Sequence, residues 1–262
     1  MPNAYFAKLK NTYDCRHLLY EMTLRQLKKK YAGSRLGLWW SVVTPLILTV
    51  SINFVFTFVF KTTTQNYTLF LLSGIMPWFF FVQAVQEATN SFLENSSILK
   101  QTMIPREFIP VSSVLANFLN FLIGIAFISP LFILMNYKAV LFAPAFIIIL
   151  MLHLLFALGL GLLFSVVNVY FRDLGHFLSV TFMAWFWVTP VFYTLEMLDF
   201  PLRWVCLLNP VTFYIVSYQN ILYEAKNPSF YQVILLCFIS LAFFIIGFAT
   251  YVKKESALLK NI

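Results

Sequence analysis

Long stretches without a charged side chain constrain the fold of this chain more than any other feature. Seven such runs occupy residues 36–60, 62–86, 108–137, 139–171, 174–195, 204–223 and 227–252. A helix that crosses a bilayer needs about 20 consecutive, mostly apolar residues. Backbone amides in hydrocarbon must be bonded within a helix or a closed barrel, and the alternating pattern of a barrel is absent. The runs therefore predict an all-α integral membrane fold.

The composition agrees with lipid as the main solvent. Apolar residues make up 61% of the chain, charged residues make up 11%, and the mean hydropathy is +0.81. An ordinary soluble domain has roughly 25% charged residues. Soluble globular, disordered and disulfide-scaffold proteins are therefore excluded. The cysteines Cys15, Cys206 and Cys237 are far apart and match no metal spacing, so we predict neither a disulfide nor a metal site.

The basic residues predict the orientation in the membrane. Both ends of the chain are rich in Lys and Arg, so the positive-inside rule places both termini in the cytoplasm. Because both termini lie on the same side, the chain must cross the membrane an even number of times. One of the seven runs is therefore not a span, and we choose the run that is interrupted at Asn209-Pro210. We predict a re-entrant outer element near residues 200–223 and six spans within a single transmembrane domain, residues 1–262. The spans cover about residues 36–60, 68–90, 108–136, 139–168, 175–195 and 230–252.

With six spans, the cytoplasmic segments contain 14 of the 18 Lys and Arg residues. We therefore attribute the net charge of +8 to topology and predict no nucleic-acid partner.

The segment before the first span predicts an amphipathic helix, about residues 12–32, lying at the membrane surface. It contains no Pro or Gly from 13 to 31, and its apolar and tyrosine side chains recur at helical spacing. This stripe consists of Tyr13, Tyr20, Leu24, Leu27 and Tyr31. A basic helix held against cytoplasmic protein is the alternative. Gly33 and Gly37 precede the apolar run, which predicts a bend and not a dimer contact. No cleavable signal peptide is predicted.

The sequence contains no motif for catalysis or for ion conduction. It has no G-x-x-x-x-G-K-[ST], H-E-x-x-H, G-x-S-x-G or T-V-G-Y-G, so we expect no catalytic residue and no bound cofactor. His153 is the one ionisable group well inside a predicted span, and we expect it to hydrogen-bond between helices and not to relay protons. If transport needs energy, a separate polypeptide must hydrolyse ATP.

Two short cytoplasmic loops are the natural docking points for such a partner. We call residues 95–110 the first loop and residues 168–174 the second loop. In the first loop, Pro105 limits any short helix that begins near Asn95 or Ser96. In the second loop, Asp173 is placed to cap the following helix. Plain turns that merely obey the positive-inside rule are the alternative.

The order of several motifs resembles that of the permease subunit of type-2 ABC exporters of the polysaccharide family, which export O-antigen, capsule or teichoic acid. The matching pieces are the basic helix leading into residues 31–40 and Pro45, then 105–110, 170–174, 189–193 and 208–210. They cover nearly the whole chain. One departure is Met103-Ile104 before Pro105, where the family more often has an aromatic residue.

The resemblance implies a homodimer in the bacterial inner membrane that is bound to two P-loop ATPase subunits, which carry the ATP and Mg²⁺. It also implies a channel between the two copies for a glycan, often on an undecaprenyl diphosphate or another lipid carrier. The implied ATPase-coupling residues lie in the two loops: Leu99, Lys100, Pro105, Arg106, Glu107, Arg172 and Asp173. The implied outer gate is the re-entrant element around Asn209 and Pro210.

Aromatic side chains suit a glycan cargo because sugar rings stack on them. Candidates for the channel wall are Phe54, Phe58, Trp185, Trp187 and Tyr193. Contact with lipid or with other helices is the alternative for each of them. Other functions stay open at this point: a type-2 permease for capsule, teichoic acid, lipid or drug, a membrane-embedded glycan-processing enzyme, and a passive channel.

Overall fold

The computed structural model describes residues 14–62, 64–101 and 104–261, and these are α-helical with short 3₁₀ and π turns and no strand. The helices are α1 (Arg16–Tyr31), α2 (Trp40–Phe54), α3 (Tyr67–Glu94), α4 (Ser96–Gln101), α5 (Phe108–Met135), α6 (Ala143–Tyr170), α7 (Leu174–Val188), α8 (Leu202–Leu208), α9 (Pro210–Leu222) and α10 (Phe230–Asn261). The shorter elements are Gly37–Trp39, Val55–Val59, Tyr137–Phe142 and Leu195–Met197. The predicted all-α membrane fold class is confirmed.

Five helical segments in the described part are long and apolar enough to cross a bilayer. They are Gly37–Val59, Tyr67–Glu94, Phe108–Met135, Tyr137–Tyr170 and Phe230–Glu255. Their bounds lie within a few residues of the first four and the last of the predicted spans.

The predicted span at residues 175–195 is shorter than expected. Its helix α7 has 15 residues, which corresponds to about 22 Å against a hydrocarbon core of about 30 Å. Thr189 is extended because Pro190 follows it, so the helix stops at Val188. The chain then continues without a regular helix to Leu195.

The run at residues 204–223, which we excluded from the spans, is broken as predicted. Helices α8 and α9 are bent by 96° relative to each other, at Asn209. A bend of this size makes a re-entrant element or a broken span, and the break lies where the sequence places Asn209-Pro210.

Helix α3 is the centre of the bundle. In its most apolar stretch, 78% of residues are buried, against 22% for the span that contains α2 and 17% for that of α10. It packs against α2, α5, α6, α7 and α9. The outer helices thus turn large apolar faces away from the protein, toward lipid or another subunit.

Helices α6 and α10 cross most closely of all, at a pair of glycines. A Cβ atom added to Gly159 would lie 2.5 Å from the backbone of Phe243, and one added to Gly247 would overlap the Gly159 carbonyl. Small residues permit such backbone contact in membranes, where packing drives helix association.

Helix α1 is present as predicted, and one tyrosine of its stripe, Tyr31, bonds to Asn120 of α5. The helix packs against α5 and buries Thr23, whereas Tyr20 is 59% exposed. Tyr13 lies outside the described residues. Gly33 and Gly37 have φ angles of +76° and +51°, so the predicted bend before α2 is confirmed.

Candidate coupling, gate and cavity sites

The first loop is embedded in the helix bundle through Leu99. This α4 side chain is buried in an apolar cluster that includes Phe92 of α3, Ile109 of α5, Val166 of α6 and Tyr251 of α10. A displacement of α4 would therefore disturb a cluster to which four long helices contribute side chains. The short helix that the sequence predicted in this loop is present, at Ser96–Gln101.

Two polar contacts tie the end of the first loop to α10. Arg106 Nη1 donates to the backbone carbonyl of Glu255 at 3.1 Å, and the Tyr251 hydroxyl donates to Glu107 Oε2 at 2.8 Å. Glu107 is buried, so this charge-assisted bond is shielded from water. The Pro105 carbonyl accepts the N–H of Phe108 at 3.0 Å as the chain turns into α5. The Lys100 side chain lies outside the described structure.

The second loop is exposed at its tip. Arg172 and Asp173 are both exposed, and Asp173 stands at the N-cap of α7 without a side-chain capping bond, so the predicted cap is wrong. Asn168 takes this role instead, because its Oδ1 accepts the N–H of Gly175 at 3.2 Å. Its Nδ2 donates to the Thr89 carbonyl of α3 at 3.0 Å.

Both loops meet the C-terminal end of α3. The first loop contacts Phe92, and the second is linked to Thr89 and to Gln86, whose Nε2 donates to the Gly175 carbonyl at 2.7 Å. The implied coupling residues, far apart in sequence, therefore lie at one end of the molecule.

The implied outer gate lies at the opposite end of α3. Asn209 caps α9, since its Oδ1 accepts the Val211 N–H at 3.0 Å while its Nδ2 donates to Thr189 Oγ1 at 2.8 Å. Pro210 is the first residue of α9, where its missing N–H costs nothing. Tyr67, the first residue of α3, donates to the Phe192 carbonyl at 2.6 Å. The bend is thus held by side-chain bonds to the segment after α7.

The channel candidates fall into two groups. Phe54, Phe58 and Trp187 are 58%, 70% and 60% exposed, whereas Trp185 is half-buried against the core. The Tyr193 hydroxyl donates to the Val188 carbonyl at 2.7 Å, so its polar end faces α7.

The exposed aromatics lie on elements that contact each other. Phe56, in the π turn after α2, has its ring 5.5 Å from that of Phe192, which in turn lies 5.2 Å from Trp187.

His153 does not make the expected hydrogen bond between helices. It is completely buried, and neither ring nitrogen has a hydrogen-bond partner among the described residues. Its ring instead stacks on Tyr214 at 4.6 Å and meets the edge of Phe80 at 5.1 Å. His153 is therefore a packing element at the junction of α3, α6 and α9.

A polar cluster that the sequence analysis missed connects α1 to α3 and α5. Lys30 Nζ donates to Asn117 Oδ1 at 2.6 Å, to Gln83 Oε1 at 2.7 Å and to Glu87 Oε1 at 3.0 Å. Asn117 also donates to Glu87 Oε2 at 2.7 Å. The pairs Gln83/Glu87 and Asn117/Asn120 recur at helical spacing on α3 and α5, which is the signal that identifies this face.

This cluster forms one wall of a cavity of about 340 Å³ between α1, α2, α3 and α5, which we call the α1 cavity. Its remaining lining combines amide, hydroxyl and aromatic groups: Tyr31, Ser34, Trp40, Ser41, Thr44, Pro45, Met76, Phe79, Phe80, Asn120 and Phe121. No group of three or more His, Cys, Asp or Glu residues in the described ranges is placed to hold a metal ion.

Comparison with known proteins gives consistent matches along the chain. The profile of a family described as ABC-2 type transporter matches residues 17–223. A Klebsiella pneumoniae protein named O-antigen export system permease protein RfbA is 32% identical over 87% of this chain and 90% of its own length. The protein of that name from Myxococcus xanthus is 30% identical over 84% and 85%. The polysialic acid transport protein KpsM of Escherichia coli is 20% identical over 91% and 93%.

Proposed function

This chain belongs to the ABC-2 type transporter family, and from that premise we propose that it exports an O-antigen polysaccharide, as a lipid-linked glycan, across the bacterial inner membrane. It is a permease subunit and not an enzyme. The observation that carries the cargo assignment is similarity, over 78–87% of this chain, to permeases named for O-antigen export, at 30–33% identity. The relative named for polysialic acid transport is 20% identical.

The partner in this proposal is a P-loop ATPase that binds at the two cytoplasmic loops. The chain itself lacks the glycine-rich phosphate loop, so hydrolysis belongs to another subunit. Both loops meet one end of α3, and the buried Leu99 places the first loop in an apolar cluster with side chains of four long helices. A push on α4 is therefore transmitted into the bundle. Leu99, Lys100, Pro105, Arg106, Glu107, Arg172 and Asp173 are the proposed coupling residues.

Two copies of the chain form the channel in this proposal. The support is the exposed aromatic side chains of α2, its π turn and α7, which a single copy leaves uncovered. Phe54, Phe58, Trp187 and, near them, Trp185 and Tyr193 are the proposed cargo contacts. Asn209 and Pro210 at the bend of α8 and α9 are the proposed outer gate. The basic residues before α2 and at the C-terminal end of α10 support cytoplasmic termini.

Export of a capsular polysaccharide is the second candidate, favoured by the similarity to the polysialic acid transport protein over 91% of the chain. The two candidates share the fold and the ATPase partner, and they differ in the glycan that accumulates when transport fails.

Two measurements in the native host test the proposal. The first is purification of the tagged chain in mild detergent, and the expected result is a stoichiometric P-loop subunit with vanadate-sensitive ATP hydrolysis. The second is deletion of the chain, which should leave lipid-linked O-antigen inside the cell while capsule still reaches the surface. An oligomer without an ATPase would refute the exporter, and accumulation of capsule instead would move the cargo to the second candidate.

A further inference from the structure

The α1 cavity has the size and the lining of a small-molecule site. Its volume of about 340 Å³ lies at the lower end of the range for ligand pockets, about 300–1,000 Å³. Its floor is buried and formed by Met76, Phe80 and Phe121, whereas Trp40 and Thr44 at its rim are exposed. The cavity is therefore closed at the bottom and open on one side.

The charges in the wall balance one another, which decides against an anionic ligand. All three donors of the Lys30 ammonium are directed at side-chain oxygens, and one of these belongs to the Glu87 carboxylate. A phosphate in the cavity would have to displace that carboxylate before it gained a cation. A neutral ligand meets no such cost.

The neutral donors of the wall, in contrast, are free. Gln83 Oε1 and Asn120 Oδ1 both accept bonds, from Lys30 and from the Tyr31 hydroxyl, so each side chain keeps an unused amide NH₂ group. Burial, and then the Glu87 charge, raises the pKa of Tyr31, so its hydroxyl stays protonated and donates to Asn120 at physiological pH. Neither NH₂ group has an acceptor among the described residues, which leaves two donors for a ligand.

Flat apolar rings face the same space as these donors. Trp40, Phe79 and Phe121 line the cavity, and the Trp40 ring is held by a bond from its Nε1 to Ser34 Oγ at 3.1 Å. Amides beside aromatic rings, with no net charge, suit a ligand that has C–H faces and hydroxyl groups.

From these features we infer that the α1 cavity binds a neutral sugar unit of the transported glycan. This inference rests on the proposed function, since a glycan cargo supplies the ligand class. The sugar face stacks on Trp40 and Phe79, and the amide groups of Gln83 and Asn120 donate to its hydroxyls. Lys30 holds the wall together but does not bind the ligand.

The position of the cavity fits an early step of transport. Glu87 lies in the C-terminal third of α3 and Gln83 lies one turn before it, on the side where both loops meet the bundle. A second cleft of about 190 Å³, lined by Gln26, Lys29, Glu94 and Asn95, also borders on Lys30. The two spaces flank Lys30, so the Lys30 cluster separates the cavity from a cleft that borders on Asn95 of the first loop.

Photo-crosslinking in living cells tests the inference directly. Phe79 is replaced with the photoreactive p-benzoylphenylalanine, and Phe238, a 71% exposed residue of α10, receives the same group as a control. After illumination the chain is purified under denaturing conditions and probed with an antibody against the O-antigen of the host. We expect a glycan adduct from position 79, at least fivefold stronger than from position 238. Equal signals, or adducts with phospholipid alone, would overturn the inference.

Two substitutions measure the contribution of the amides. Asn120→Leu and Gln83→Leu remove the free donors, and each should lower export at least threefold and lower the adduct formed at position 79. Purification of each variant with the ATPase, at the yield of the parent chain, verifies that the variants fold. Unchanged export and adduct in both variants would refute the assignment. If the parent chain itself proved unnecessary for export, the proposed function would fail, which is a different result from a functional permease without an adduct.

Discussion

The first and second loops occupy the same end of the molecule but expose their side chains to different degrees. The first buries Leu99 among four helices and is bound to α10 through Arg106 and Glu107. The second exposes Arg172 and Asp173 at its tip and is held behind the tip, by the bonds of Asn168 and by Val169, which is buried in the same apolar cluster. The first loop is thus part of the packed bundle, whereas the second is a contact surface mounted on it.

This difference separates two tasks that coupling to an ATPase requires. A loop that moves the spans must be rigidly connected to them, because close-packed interiors transmit displacement. A loop that selects the partner needs free charged groups that bind it. We expect substitutions in the first loop to change both stability and export, and substitutions at the tip of the second to change export alone.

The largest expected effect is that of Leu99→Asp. The substitution buries a carboxylate in the apolar cluster, and an uncompensated buried charge costs about 3–5 kcal/mol. The matched change Phe171→Asp, at a residue that is 54% exposed, should cost less than about 0.5 kcal/mol. Thermal aggregation of the detergent-solubilised chain measures both. Equal midpoints for the two variants would show that the first loop is not embedded.

Tyr251→Phe should have the next largest effect. It removes one donor from the buried Glu107 carboxylate, which costs about 1–3 kcal/mol, and it loosens the first loop from α10. Tyr231→Phe on the same helix is the control, since Tyr231 is 83% exposed. The same thermal measurement, with export in parallel, should separate the two variants. If both behave alike, the Tyr251–Glu107 bond does not hold the loop.

Gly175→Ala tests the support behind the second loop. The added methyl group would overlap Asn90 Oδ1, the end of a side chain that can move, so we expect a loss of about 1 kcal/mol and a displaced tip. Crosslinking of a cysteine at position 173 to the ATPase should weaken accordingly. A variant with full stability and full crosslinking would contradict this account of the loop.

The smallest effect on stability is expected for Asp173→Ala. The side chain is exposed and makes no capping bond, so the folded chain should lose less than about 0.5 kcal/mol. Export per ATP hydrolysed should nevertheless fall severalfold, because the variant loses a charge offered to the partner. The ratio of exported glycan to released phosphate measures this, and an unchanged ratio would remove Asp173 from the coupling residues.

Much of the fold follows from the sequence because a bilayer leaves few alternatives. The predicted spans agree to within four residues with those at 37–59, 67–94, 108–135, 137–170 and 230–255, and Asn209-Pro210 marks the bend. The predicted span at 175–195 ends seven residues after α7 does. The apolar composition continues past Pro190, but the helix ends at Val188 because a residue before proline is disfavoured in a helix.

The details of the sites follow less well from the sequence. The sequence predicts Asp173 as the cap of α7, but Asn168 Oδ1 accepts the N–H of Gly175 and Asp173 makes no capping bond. His153 was expected to bond another helix, but aromatic rings from two helices occupy its surroundings. Lys30 bonds to residues that lie 53 to 87 positions further along the chain. The packing of α1 beside α3 and α5 brings them together, and the sequence does not show this packing.

The most direct test of the central claim uses inside-out vesicles that contain this chain and its ATPase. Lipid-linked O-antigen is added outside with ATP, and the glycan protected inside the vesicles is measured over time. The account predicts protected glycan that requires ATP and this chain, and that Leu99→Asp abolishes. Protection without ATP, or without the chain, would contradict it.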